Sequence, residues 1–134
     1  MSLDWFYAPV SKVQFTGLLF SGANLANLGT NRQGFTVLGQ GRVISIRSRG
    51  GWAQIALVPT ERLSFHLMAG QQDDRNSDLR GSGIAKNQVY AANVMYRVGP
   101  NLIVAFEGSR LRTSYLPGMI RPNTHYDLAF AYLF

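Results

Sequence analysis

The chain has 134 residues, a net charge of +6 and no cysteine. This length suffices for one domain with a sizeable core, and the missing cysteines exclude disulfides and thiolate metal sites. The basic residues are scattered, mostly as arginines near turns. They form neither a run nor a basic helical face, so the sequence does not predict nucleic-acid binding. We expect a single β-domain or barrel segment over residues 1–134.

Apolar and polar residues alternate along most of the chain, which is the period of a β-strand rather than of a helix. The first candidate strands are "LDWFYAPV" from Leu3 to Val10 and "KVQFTGLLF" from Lys12 to Phe20. Residues 21–50 are predicted to form a long loop, with "RVISIR" as a weaker strand and room for an extra hairpin. No apolar run reaches the ~18 residues of a membrane-spanning helix.

The remaining strands alternate with links of two kinds. These strands are "GWAQIALV" (51–58), "RLSFHLMAG" (62–70), "NQVYAANVMYRV" (87–98), "NLIVAFEGSRLR" (101–112) and "HYDLAFAYLF" (125–134). Two links are tight turns, "VPTER" and "VGPN", and we expect two more long loops at about 71–87 and 113–123. The pattern predicts an all-β, antiparallel up-and-down meander of about 7–8 strands. Short turns at one end and long loops at the other are typical of a transmembrane β-barrel.

The last strand shows how each strand divides its side chains between two faces. One face, which we call the apolar face, is continuously apolar and aromatic, and in a membrane barrel it would contact lipid. On the last strand its members are Tyr126, Leu128, Phe130, Tyr132 and Phe134. A strand of ~10 residues, tilted by ~45°, crosses the apolar layer of a membrane once.

The opposite face, which we call the mixed face, combines small or apolar residues with isolated polar groups. In a membrane barrel this face lines the lumen. Its polar candidates are Gln54, His66, Asn93, Arg97, Glu107 and Asp127. Two roles stay open for them: they tune the solute preference of a pore, or they form a hydrogen-bonded plug that stiffens the barrel.

No motif in the sequence indicates catalysis or a resident ligand. His66 and His125 have no second metal ligand at a diagnostic spacing. Asp73, Asp74 and Asp78 do not match a calcium loop, and we expect Arg75 and Arg80 to neutralise them locally. The glycine-rich stretches "GQG" and "GSGIAK" complete no phosphate loop, and no serine has a nucleophile-elbow sequence. We predict no enzyme activity, no metal site and no cofactor.

The terminal "AFAYLF" resembles the C-terminal signal of bacterial outer-membrane β-barrels, in which a final Phe and alternating apolar residues are recognised by the barrel-assembly machinery. The stretch from Gly50 to Phe134 also resembles the tail of large porin-like outer-membrane proteins. This resemblance implies an outer-membrane location, lipid and the assembly machinery as partners, and either passive passage of small solutes or a structural barrel. No signal peptide is visible at the start, so an export signal would lie upstream.

The strand count leaves two architectures open. Seven spanning strands leave an unpaired edge, which lipid does not tolerate. The chain would then be the C-terminal portion of a larger barrel, or would self-associate through its open edges. If "GFTVLGQGRVISIRS" supplies an eighth strand, the chain closes a small barrel with little or no pore. A soluble barrel of the lipocalin or avidin type, with a small apolar ligand inside, is the alternative from another functional class.

Overall fold

The computed structural model of the protein describes residues 1–25, 34–81 and 83–134. Within these ranges the chain forms nine strands, one short α-helix, α1, at Asn76–Leu79, and a 3-10 turn at Gly39–Gly41. The strands are β1 (Ser2–Val10), β2 (Val13–Ala23), β3 (Phe35–Val37), β4 (Val43–Ser45), β5 (Arg47–Leu57), β6 (Leu63–Asp74), β7 (Gly83–Arg97), β8 (Leu102–Leu116) and β9 (Ile120–Tyr132). In this part of the chain no helix is long and apolar enough to cross a membrane.

Seven of the strands form one antiparallel sheet in the order β1-β2-β5-β6-β7-β8-β9, in which sequential strands pair except that β3 and β4 intervene in the chain between β2 and β5. This confirms the predicted all-β antiparallel meander. Strands β3 and β4 pair only with each other, as a separate small sheet. Strands β1 and β9 are the two edges of the large sheet.

The connections at one end of the sheet, the turn end, are short. Residues 11–12, 58–62 and 98–101 join β1 to β2, β5 to β6 and β7 to β8. In the second of these, the Thr60 hydroxyl accepts hydrogen bonds from the backbone N–H groups of Arg62 and Leu63 at 3.3 and 3.1 Å. Such side-chain hydrogen bonds stabilise a tight turn between two strands, so that no longer loop is needed.

The opposite end, the loop end, carries the described residues 24–25, 34–46, 75–81 and 117–119. Two of the three predicted long loops are largely strand. The loop expected at 71–87 shrinks because β6 continues to Asp74 and β7 begins at Gly83, and the one at 113–123 is a turn between Leu116 and Ile120. At that turn Gly118 has a φ of 135°, a conformation that other residues rarely adopt.

The loop expected at 21–50 keeps its position but contains the extra hairpin. β2 ends at Ala23, β3 and β4 form the hairpin, and β5 begins at Arg47. Residues 26–33 of this predicted loop lie outside the described ranges. The hairpin does not join the large sheet. The described residues therefore do not supply the eighth spanning strand of the small closed barrel that the sequence left open as one of two architectures.

Strand register separates the apolar and mixed faces across the whole sheet. Leu67 of β6 lies opposite Ile55 and Ala92, whereas His66 lies opposite Ala56 and Asn93. Directly opposed residues point to the same side of a sheet, so each face continues from strand to strand. The sequence alternation is thus in phase in all seven strands.

The two faces differ in exposure. In β6, Phe65 and Leu67 on the apolar face are 42% and 54% exposed, while His66 and Met68, which alternate with them on the mixed face, are half-buried. This alternation indicates that the sheet curves towards its mixed face. The described apolar residues that are buried are few and do not form a conventional core. They are Phe20, Ile46, Ala56 and Leu79.

Candidate functional site

The mixed face carries a row of polar side chains across four neighbouring strands. His66 lies opposite Asn93, Asn93 opposite Glu107, and Glu107 opposite Asp127. Gln54 of β5 lies next to this row on the same face, opposite Met68. The strand alternation and the register therefore bring five of the six predicted polar candidates to one region of one face.

His66 is held at both ring nitrogens. The Gln54 amide nitrogen lies 3.3 Å from Nδ1 and the Ser64 hydroxyl lies 2.9 Å from Nε2. When the amide donates to Nδ1, the ring proton lies on Nε2 and is donated to the Ser64 oxygen, which is the arrangement of a neutral imidazole. These bonds orient the ring along the sheet.

Asn93 links the row to the carboxylate of Glu107. Its amide nitrogen donates to Glu107 Oε2 at 3.2 Å, while its Oδ1 atom is buried and has no partner among the described residues. Further along the row, His125 Nδ1 lies 3.1 Å from Asp127 Oδ2. Glu107 and Asp127 thus face each other across β8 and β9, although like charges in that position repel.

Arg97 departs from this group. Alternation places it on the mixed face, but its guanidinium donates to the Pro100 carbonyl oxygen at 3.1 Å and so binds the turn at 98–101. It lies at the turn end of the sheet, opposite Ile103, away from the other five candidates. The structure therefore does not bring Arg97 into the polar row.

The terminal residues lie on the apolar face, as the alternation predicts. Tyr126, Leu128, Phe130 and Tyr132 are between 62% and 71% exposed, and they lie opposite Gly108, Phe106, Val104 and Leu102 of β8. Phe134 follows the last residue of β9 and is fully exposed. A stripe of this kind is unusual on a surface in contact with water.

The loop end contains an ion pair that the sequence did not predict. Arg47 at the start of β5 contacts Asp78 of α1 through Nε and Nη2, both at 3.0 Å, and its backbone N–H donates to the same carboxylate at 3.1 Å. Thr36 of the hairpin donates to the Asp78 carbonyl oxygen at 2.9 Å. One aspartate therefore links β5, α1 and the β3–β4 hairpin.

These bonds lower the pKa of Asp78 from 3.8 to about 2, chiefly because the Arg47 side chain hydrogen-bonds to the ionised carboxylate. Burial opposes this shift, and the backbone N–H and charge of Arg47, with a smaller contribution from Arg75, add to it. We expected Arg75 and Arg80 to neutralise the aspartates of this segment, but the main partner of Asp78 is Arg47. No local sequence pattern links residues 47 and 78, which become neighbours only through sheet pairing.

The other two loop aspartates also have partners from the strands. Asp73 lies 3.6 Å from Arg49 and 3.5 Å from Lys86, and Asp74 accepts hydrogen bonds from Ser48 and Gln72. They border a cavity of about 770 Å³ at the loop end. In the described ranges, no group of three or more His, Asp or Glu side chains is arranged to hold a metal ion.

No protein-family model matches the sequence, and no curated protein matches it. Among solved structures, the crystal structure of the outer membrane channel DcaP of Acinetobacter baumannii is similar in fold, with a TM-score of 0.87 and 12% sequence identity. The similarity covers 99% of this chain and 40% of the channel chain, so the chain spans well under half of that protein. The strands therefore have the fold of a porin-like, outer-membrane antiparallel β-sheet.

Proposed function

We propose that the chain forms part of the wall of a channel in a bacterial outer membrane, with its apolar face in lipid and its mixed face towards a water-filled lumen. The observation that carries this proposal is the pairing of exposure with chemistry. On β6 the exposed convex side carries apolar residues such as Leu67, and the half-buried concave side carries polar residues such as His66. On the edge strand β9 both faces are exposed. Soluble sheets show the opposite arrangement.

The soluble alternative needs the aromatic residues inside. A lipocalin-like or avidin-like barrel would direct Phe106 and Tyr126 towards its cavity. In this sheet those two side chains are 49% and 71% exposed, and their rings lie 6.3 Å apart on the convex side. The curvature therefore favours the membrane barrel.

The strand count supports a segment of a larger barrel. Strands β1 and β9 are separated by six antiparallel steps, so they run in the same direction. Two copies inserted in the same orientation would pair β9 of one with β1 of the other as parallel strands, whereas bacterial barrels are antiparallel throughout. An odd number of additional strands closes such a barrel. The odd strand count and the terminal stripe, which resembles an assembly signal, both favour the C-terminal portion of a larger barrel. The barrel-assembly machinery would insert this portion into the membrane.

The polar row is the part of this wall that solutes would meet. Glu107 and Asp127 add negative charge to the mixed face, and the polar side chains of His66 and Asn93 lie beside them. A lumen with fixed carboxylates favours cations over anions. We therefore assign the chain to passive passage of small solutes, with the row between β6 and β9 as its selectivity element.

Size-exclusion chromatography with far-UV circular dichroism, with and without a mild maltoside detergent, tests the membrane assignment. We expect a β-rich species that is monodisperse only in detergent. A β-rich, monodisperse monomer in plain buffer would contradict the lipid-facing assignment and would favour the soluble barrel.

A further inference from the structure

The apolar face changes character near the loop end. From the row of Tyr90 to the loop end, basic residues of β5, β7 and β8 lie on this face, and one acid accompanies them. Besides Arg47, which pairs with Asp78, the basic residues are Arg49, Lys86, Arg110 and Arg112, and the acid is Asp73. Charged side chains on a surface that meets lipid are costly in the apolar layer and are tolerated at its headgroup border.

Two of these cations lack a carboxylate partner. Arg49 and Lys86 both lie within ion-pair distance of Asp73. Among the described residues, neither Arg110 nor Arg112 forms an ion pair, and both are exposed. They stand two positions apart on β8 and so point the same way, about 7 Å apart. A planar guanidinium suits bidentate contact with phosphate oxygens.

A groove runs from Arg110 into the apolar face. It has a volume of about 480 Å³ and lies between Tyr90 of β7 and Tyr126 of β9. The small side chain of Ala92 leaves part of its floor open, while the Tyr126 ring lies over the opposed Gly108 and forms one wall. The register places Arg110 directly opposite Tyr90, at the loop end of the groove.

We propose that this groove binds a lipid of the leaflet at the loop end, with a phosphate monoester held by Arg110 and Arg112 and an acyl chain between Tyr90 and Tyr126. The inference rests on the proposed membrane location. An amphiphilic ligand fits better than nucleic acid or an acidic protein, because the cations adjoin an apolar trough. Lys86, diagonal to Arg112, adds a third cation at about 7–8 Å.

The test uses the full chain in maltoside micelles and native mass spectrometry to count retained lipid. The probes are phosphatidic acid and phosphatidylcholine with identical acyl chains. Wild type should retain phosphatidic acid selectively, and R110Q/R112Q should bind it on the order of tenfold more weakly. The matched control is K12Q/R42Q, which removes the same charge from exposed sites away from the groove and should change binding little. Inorganic phosphate at millimolar concentration should not compete.

A second variant probes the acyl chain without changing charge. Ala92→Leu fills the floor of the groove and should weaken retention of phosphatidic acid while β-content by circular dichroism stays unchanged. Equal losses in R110Q/R112Q and K12Q/R42Q, or displacement by inorganic phosphate, would overturn the lipid site and leave the channel wall intact. A chain that remains monodisperse without detergent would overturn the membrane location and the lipid site together.

Discussion

The indole ring of Trp5 on β1 covers Gly17 on β2, its directly opposed residue, so closely that a β-carbon at Gly17 would lie 2.5 Å from the ring. The same relation recurs between Phe20 and Gly50. The Tyr126 ring lies over Gly108 in the same way, but more loosely. An aromatic side chain laid over a glycine covers exposed backbone and fixes strand register.

Gly50→Ala should therefore destabilise the sheet by about 1–3 kcal/mol, because the new β-carbon would collide with the backbone of β6 as well as with the Phe20 ring. The expected readout is a lower urea midpoint in detergent micelles. Gly99→Ala is the matched control, since nothing lies within 4 Å of its added β-carbon. It should shift stability by no more than about 0.5 kcal/mol. Equal urea midpoints for the two variants would contradict the close packing of the Phe20 ring and the β6 backbone around Gly50.

The Asp78–Arg47 link should make the loop end sensitive to acid. A carboxylate with a folded pKa of about 2 against an ordinary 3.8 contributes stability above the ordinary value, and this contribution is lost as the pH falls towards 2. Pepsin cleavage at Leu79, mapped by mass spectrometry, should be slow at pH 4 and fast near pH 2. Asp78→Asn should be cleaved quickly at both values.

Arg80→Gln is the control for the acid experiment, because it changes a cation in the same segment that forms no ion pair with Asp78. It should behave as wild type does. Cleavage of wild type at one rate from pH 4 to pH 2 would show that the ion pair does not hold α1 in place.

Replacing Glu107 should reduce cation preference. Glu107→Gln keeps the hydrogen bond from Asn93 available and removes one negative charge from the polar row. Reversal potentials in planar bilayers under a salt gradient should shift towards lower cation selectivity. Glu61→Gln makes the same chemical change in the turn at 58–62 and should leave selectivity unchanged. Identical selectivity in wild type and Glu107→Gln would favour a structural plug over a selectivity element.

The terminal phenylalanine should matter for assembly. Phe134→Ser should lower the fraction of protein that becomes heat-modifiable on gels after insertion into liposomes containing the barrel-assembly machinery. Leu133→Ser changes the neighbouring residue, which belongs to the other face by alternation, and should have a smaller effect. Equal losses in both variants would indicate general hydrophobicity rather than a signal with a defined phase.

The sequence predicted the strands and their faces because alternation with period two is a local signal, strong in stretches such as residues 90–98. It failed near the loop end of the sheet. Asp73 and Asp74 look like loop residues, yet they continue β6 because Arg49 and Ser48 pair with them on β5. Such stability comes from cross-strand partners, which no local pattern reveals.

The prediction also failed at the last turn. A long loop was predicted at 113–123, but Pro122 lies within β9, opposite Arg112. β9 is an edge strand, where a missing N–H removes no necessary ladder bond. For the candidate site, alternation identified the mixed-face residues, whereas the Arg47–Asp78 pair and the groove beside Arg110 depend on three-dimensional pairing.

The two tryptophans of the chain allow the most direct test of which face meets lipid. Trp5 lies on the apolar face and Trp52 on the mixed face, and both are 37% exposed. Trp52→Phe leaves Trp5 as the reporter, and Trp5→Phe leaves Trp52. In vesicles containing brominated lipid, Trp5 fluorescence should be strongly quenched and Trp52 fluorescence only weakly. Strong quenching of Trp52 with little quenching of Trp5 would reverse the faces, and no quenching of either would remove the chain from the membrane.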